Sequence, residues 1–309
     1  MLAPSGEQYE IGGGGYRAVV TEAGATLRLL EHEGRPLLDG FPPDRMASGG
    51  RGQLLAPWPN RLRDGRYRVA GTTHQLALSE PRRHNASHGL VRWVSWTLEE
   101  QTPGSVSLVY RLVAQTGYPW TVDLHVLYDL SAEGLTVTQT ATNMSGTAAP
   151  YAVGAHPYLL AGPTAAGPVD GWRLTLPAAS RLLTDDRLLP TGREDVTGTD
   201  HDFRGGRVIG GTVLDTAFTD LDHEHGRVHV EVLDPDSGVG TVLWGDRNVR
   251  WLQVYSADDA GETARRSLAV EPMSAPPDAF NSGEDLVLLS PAGERGDEHS
   301  LSWGLRATR

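Results

Sequence analysis

Cysteine and lysine are both missing from these 309 residues, and all 27 basic side chains are arginine. Without cysteine there is no disulfide, no thiolate nucleophile and no Cys-ligated zinc. Without lysine there is no Schiff base, no pyridoxal enzyme chemistry and no phosphate-loop lysine. Any chemistry rests on His, Asp, Glu, Arg, Tyr, Ser or Thr. Positive charge is scarce as well. The formal net charge of -12 opposes the basic stripe that a nucleic-acid surface needs, so no nucleic-acid partner is expected. No apolar run approaches the ~20 residues of a membrane span. Met1 to Glu10 has neither a basic n-region nor an apolar h-region. The expectation is a cytoplasmic protein with no membrane partner; the sequence implies no oligomeric state.

What is present is globular composition, 39% hydrophobic and 21% charged, patterned with a period of two. Val122, Leu124, Val126, Tyr128 and Leu130 alternate with Thr121, Asp123, His125 and Asp129. After a turn at Ala132-Glu133-Gly134, Leu135 and Val137 continue one face while Thr136, Thr138, Thr140 and Thr142 line the other, which reads as an antiparallel hairpin. Val106 to Leu112, Val228 to Val232 and Trp172 to Leu176 alternate likewise. Asp64-Gly65 is a hairpin signal before Tyr67 and Val69, and Glu33-Gly34 and Ala70-Gly71 punctuate the chain in the same way. With 37 Gly and 20 Pro, long helices have little room. The pattern predicts an all-β antiparallel sandwich or barrel, with Ala161 to Pro168 as a surface loop and no internal domain boundary. The Gly12-to-Gly15 run lacks the strand–turn–helix setting of a phosphate loop and reads as a turn.

Several polar residues stand in unusual places. His156 lies in Gly154-Ala155-His156-Pro157-Tyr158, after an apolar stretch. Glu271 follows the strand-like Leu268-Ala269-Val270, and Pro272 biases it to an extended backbone. Asp215 opens Asp215-Thr216-Ala217-Phe218, Arg61 follows Pro57-Trp58-Pro59-Asn60, and His88-Gly89 precedes Leu90-Val91-Arg92-Trp93. Each also has an ordinary reading: a structural histidine, a solvated strand-end carboxylate, a turn cap, a surface arginine. Composition and periodicity do not choose between them.

Taken in order, however, these strings closely resemble the aldose 1-epimerase (galactose mutarotase-like) family. They are Asn60-Arg61 with Gly65 and Tyr67, His88-Gly89, His156-Pro157-Tyr158, Asp215-Thr216, and Glu271-Pro272 with Pro277-Asp278-Ala279-Phe280-Asn281 downstream. The resemblance spans about Gly12 to Pro291. It implies an antiparallel β-supersandwich with an open sugar cleft, residues 1–309 forming a single domain, and interconversion of the α and β anomers of an aldohexose. It further implies Glu271 as general base and His156 as general acid, with Arg61, His88 and Asp215 holding the sugar hydroxyls; Arg92 and Tyr158 are further candidate substrate-binding residues. The acid–base pair suits the task, because ring opening removes a proton from O1 and delivers one to O5, with no cofactor and no metal. On this reading Glu271 is ionised and His156 protonated at neutral pH, each stabilising the other's charge. Trp58, Trp93, Trp251 and Tyr255 are candidates for an aromatic floor under the sugar.

One departure from the family pattern matters. Where many galactose mutarotases carry a glycine-rich run after the His-Gly pair, this chain has Leu90-Val91-Arg92. Together with Pro57-Trp58-Pro59-Asn60-Arg61, this is similar to the branch acting on hexose 6-phosphates or sulfonated hexoses such as sulfoquinovose, because a guanidinium suits a phosphate or sulfonate; alternatively Arg92 pairs with a nearby surface acid. Three further alternatives stay open. A glycosidase would place Asp215 and Glu271 roughly 5–5.5 or 6.5–9.5 Å apart across a glycosidic bond, leaving His156-Pro157-Tyr158 without a role. A non-catalytic carbohydrate-binding sandwich would need no acid–base pair. A metal site would draw on His223-Glu224-His225, or on His84 with His88.

Overall fold

The structure is a computed structural model that describes residues 3–162 and 169–308; most of the expected Ala161–Pro168 loop lies outside the described residues. Every strand pairing in it is antiparallel, and the architecture is a β-supersandwich built on two large sheets. Among the described residues the regular helical content is one short α-helix, Ala279–Ser282, and three 3-10 turns. No helix among the described residues is long and apolar enough to cross a membrane.

The first large sheet has nine strands. Val122–Ser131 and Gly134–Asn143 form its central hairpin, in register from Val122↔Asn143 to Ser131↔Gly134. Val122, Leu124, Val126, Tyr128 and Leu130 are buried along one face, as the alternation requires, and each such side chain contributes about 1.5–3 kcal/mol by leaving water. The strand beside this hairpin comes from far along the chain. Glu298–Ala307 inserts between Gly134–Asn143 and Gly240–Gly245, with Leu135↔Leu305 on one side and Leu243↔Leu305 on the other.

The second large sheet runs Pro190–Asp195, Ala178–Thr184, Asp215–Leu221, Trp251–Tyr255, Leu268–Met273, Gly154–Ala155 and Leu54–Leu55, with Tyr158–Leu159 also pairing to Leu268–Met273. Its register sets the site. Asp215 faces Tyr255, Ala217 faces Gln253, and Gln253 faces Glu271. Because successive residues point to opposite faces, Asp215, Gln253, Tyr255 and Glu271 share one face. Phe218, Leu252, Val254 and Val270 point to the other, into the main core.

Turn chemistry behaves as the dipeptides suggest, with one correction. Gly14-Gly15, Glu33-Gly34 and Ala70-Gly71 have positive φ at both positions and close hairpins between paired strands, as the twist of an antiparallel ribbon favours. Asp64 and Gly65 adopt the same conformation, yet their flanking strands do not form a hairpin. Arg61–Arg63 pairs with Asn85–Ser87, and Arg66–Val69 pairs with Thr72–Gln75. The Asp64 N–H donates instead to the His84 carbonyl, so this turn hands the chain from one ladder to another.

Candidate active site

Arg61, His88, Arg92, His156, Tyr158, Asp215 and Glu271 all line one cleft of about 360 Å³. They arrive from separate places. Arg61 opens the Arg61–Arg63 strand, His88 follows the Asn85–Ser87 strand paired with it, and His156 sits between the Gly154–Ala155 and Tyr158–Leu159 strands. Asp215 and Glu271 rise from the shared face of the second sheet.

At the floor, His156 Nε2 lies 3.3 Å from Glu271 Oε1, with both side chains almost fully buried. Glu271 Oε2 and His156 Nδ1 are buried without a hydrogen-bond partner among the described residues. Burial pushes the Glu271 carboxyl well above its usual range; the Asp215 charge adds to this and the Arg61 charge opposes it. Burial also pushes the His156 imidazole down to about 3, with the nearby Arg92 cation acting in the same direction. Burial thus opposes the expected ion pair from both sides. Desolvating two ionised groups is costly, so burial favours the neutral arrangement, with the proton on Glu271.

His88 is fixed from two directions. The Asn60 backbone N–H donates to His88 Nδ1 at 3.2 Å, and the His88 backbone N–H donates to the Asn60 carbonyl at 2.8 Å. With Nδ1 accepting, the neutral ring carries its proton on Nε2. Burial holds His88 neutral, lowering it well below its usual value, with help from the Arg92 and Arg61 cations. Gly89 then runs so close to the chain that a Cβ there would stand 1.9 Å from the Ala56 carbonyl oxygen, so only glycine fits after His88.

The charged side chains are braced from behind. Arg61 forks onto Glu80, with Nε–Oε2 at 2.9 Å and Nη2–Oε1 at 3.2 Å. Asp215 accepts from Gln253 Nε2 at 2.6 Å, and burial raises its carboxyl above the usual value. The Tyr158 ring stacks on His156 with centroids 4.9 Å apart, and the Arg51 guanidinium lies over the same ring at 4.5 Å. Arg51 is paired with Asp39, which also accepts from Arg266 and Ser267.

Arg92 has no carboxylate within ion-pair distance among the described residues, which overturns the surface-pair alternative. Its guanidinium makes two long contacts of 3.5 Å each, to Gln53 Oε1 and the Ser87 carbonyl. Of the four aromatic candidates, Trp93 and Tyr255 line the cleft. Trp58 and Trp251 do not. Trp58 packs edge-on against Phe280 in the core. Trp251 shares the cleft face of its sheet but is covered by Leu182, Ala217 and Met273. The His223 ring nitrogens both sit 3.1 Å from backbone carbonyls, while His225 is exposed; among the described residues no three metal-ligating side chains gather.

The cleft also contains residues that the sequence reading did not single out, including Gly49, Gly50, Arg51, Glu80 and Asp259. Gly49-Gly50-Arg51 reads as another turn, and Glu80 is one acid among many; only contact with His156, Tyr158 or Arg61 distinguishes them.

Comparison with known proteins agrees with this architecture. The model of the aldose 1-epimerase family matches residues 7–302. The uncharacterized protein YihR of Escherichia coli K12 is 35% identical over 99% of this chain and 94% of its own length. Human galactose mutarotase is 28% identical over 56% of this chain and half of its own. Among solved structures, the GalM/aldose epimerase homologue from C. elegans aligns with a TM-score of 0.84 at 21% identity, covering 98% of this chain and 99% of that one. A galactose mutarotase-like protein from Clostridium acetobutylicum aligns with a TM-score of 0.83 at 18% identity, covering 97% and 94%.

Proposed function

The chain belongs to the aldose 1-epimerase family, and from that premise we propose that it is a mutarotase, interconverting the α and β anomers of an aldohexose by acid–base ring opening and closing. The observation that carries this reading is the direct contact of two buried groups, His156 and Glu271, at the floor of a cleft ringed by Arg61, His88 and Asp215.

In the proposed cycle the Glu271 carboxylate takes the proton from O1–H as the C1=O bond forms. The C1–O5 bond breaks, and O5 receives a proton from His156. Rotation about C1–C2 and the reverse transfers close the ring on the other face. The ionised pair needed for opening and the neutral pair favoured by burial hold the same number of protons, differing only in which side of the 3.3 Å contact carries one. Sugar hydroxyls donating to Glu271, with the Arg61 cation nearby, favour the ionised arrangement. Opening returns the pair to neutrality, so the open-chain intermediate is held by the protonation state that burial prefers. His88 offers its Nε2–H to a sugar oxygen, Arg61 acts as a permanent donor, and Asp215 accepts from hydroxyls. Tyr158 supports the His156 ring and borders the sugar. The reaction draws on no cofactor or metal. We read residues 1–309 as one domain, because the strand at residues 298–307 completes a sheet begun by residues 97–143, and we place the protein in the cytoplasm, acting on a small-molecule sugar.

A second reading has its own support. Arg92 lines the cleft without a carboxylate partner, which favours an anionic hexose, a hexose 6-phosphate or sulfoquinovose. The deciding experiment is polarimetry of freshly dissolved α-D-glucose and α-D-galactose with and without the protein, joined to NMR exchange spectroscopy of glucose 6-phosphate and sulfoquinovose. Acceleration on the neutral sugars supports the first reading, and acceleration confined to the anionic ones supports the second. Sugar binding without acceleration on any of them would replace both with a carbohydrate-binding role.

A further inference from the structure

We propose that Glu80 is a positioning residue whose carboxylate fixes the Arg61 guanidinium in the cleft and limits how much of that cation's charge reaches Glu271. The inference rests on the reading of Glu271 as the base.

The geometry is a saturated carboxylate. Glu80 accepts both arms of the Arg61 fork, accepts Arg83 Nη1 at 2.9 Å, and accepts Asn85 Nδ2 at 3.3 Å. The Arg61 and Glu80 side chains are only 14% and 19% exposed, so water screens this pair far less than a surface bridge. The loop that carries Glu80 is itself locked. Glu80 and Asn85 exchange backbone hydrogen bonds in both directions. Arg187 from another loop donates to the Arg83 and His84 carbonyls, to Asn85 and to Asp64. Arg61 thus has two of its three nitrogens committed, leaving Nη1 to turn toward a ligand.

The electrostatic consequence follows from what surrounds Glu271. Asp215 on the same sheet face disfavours its charge, His156 contacts it from the neighbouring segment, the Tyr158 hydroxyl is close by, and Arg61 is the cation acting to ionise it. A guanidinium paired to a carboxylate stabilises a second carboxylate less than a bare one does. Glu80 therefore moderates Arg61. Removing its negative charge while keeping its shape leaves Arg61 balanced by Asp215 without its forked partner, frees Arg83 of its carboxylate, and makes Glu271 easier to ionise.

The test is a 13C-carboxyl NMR titration of the free protein, with the Glu271 signal assigned by its loss in Glu271→Gln. Glu80→Gln is expected to lower the Glu271 midpoint by about one pH unit, within the range that a nearby opposite charge produces. In an Arg61→Gln background the same Glu80→Gln change should leave the midpoint in place. An unmoved midpoint in folded Glu80→Gln overturns the proposal, and so does a drop that persists without Arg61. If Glu80→Gln does not fold, Glu80→Asp withdraws the carboxylate by one methylene, and an unchanged Glu271 midpoint there overturns it equally. In turnover, the acidic limb of kcat/KM should follow the same downward movement. Absence of mutarotation by the wild type would remove the functional reading while leaving the titration result standing, so the two failures are distinct.

Discussion

Gly50 presses its backbone against the ring of His156: a Cβ at Gly50 would stand 2.7 Å from His156 Cδ2, and the residue holds a φ of +81°. Gly50→Ala therefore forces the imidazole off its contact with Glu271. A displacement of this size in a positioned group costs on the order of 10²-fold in rate. The expected result is turnover down by about that factor, with strand content by circular dichroism unchanged.

Replacement of the pair itself gives the larger loss. Glu271→Gln and His156→Ala should each reduce mutarotation by at least ~10²-fold in polarimetry at neutral pH. Wild-type rates in both variants would remove these two residues from the chemistry.

The buried histidine makes the protein acid-sensitive. Its imidazole is pushed down to about 3 in the folded protein and titrates near 6.5 when unfolded. As pH falls below 6.5 the unfolded chain takes up a proton that the folded imidazole refuses, so this group withdraws stability down to about pH 3 and has no effect above 6.5; Glu271, raised by burial, acts with the opposite sign until pH passes its unfolded value, so the net fall is concentrated below about 4.3. The loss is of the order of a few kcal/mol. Urea midpoints measured across this range should fall less steeply for His156→Gln than for the wild type.

Arg92 separates the two substrate readings. Charge-assisted hydrogen bonds contribute about 1.5–3 kcal/mol, so Arg92→Ala should raise KM about 10- to 100-fold for a phosphorylated or sulfonated hexose. For glucose and galactose it should change little, and equal losses on both classes would deny it a role in anion recognition.

Asp39 supports the rear of the site through Arg51, whose side chain is 8% exposed. Asp39→Ala leaves that guanidinium buried and unpaired, which costs about 3–5 kcal/mol, readable as a lowered urea midpoint. Arg266, on the surface side of the same carboxylate, should cost much less when replaced.

Much of this was legible in the sequence because strands carry their burial in alternate residues. Val122 to Leu130 announces an inner face, and the hairpin after Ala132 follows. The Leu268–Met273 strand is harder, being buried throughout, and only a charged Glu271 inside it signals a site. The convergence of Arg61, His88, Asp215 and Glu271 came from the order of short strings, since no local rule brings residues so far apart together. What escaped depends on contact alone. Gly50 and Glu80 look ordinary until their neighbours are known, and Trp251 looks like a platform until Leu182 and Met273 cover it. The pull of burial on protonation also escaped, because attraction between opposite charges can be guessed from residue types while the desolvation that opposes it is known only once burial is.

The insertion of residues 298–307 between the strands at 134–143 and 240–245 also decides when this molecule can exist. Leu135 must find Leu305 across most of the chain, so the sheet stays split, with hydrogen-bonding edges bare, until a late segment arrives. Pairings of such sequence separation close slowly, and unpaired edges recruit other chains. Refolding should accordingly be slow and concentration-sensitive, and on the ribosome the first half of the protein must wait, exposed, for the strand that joins it to the second.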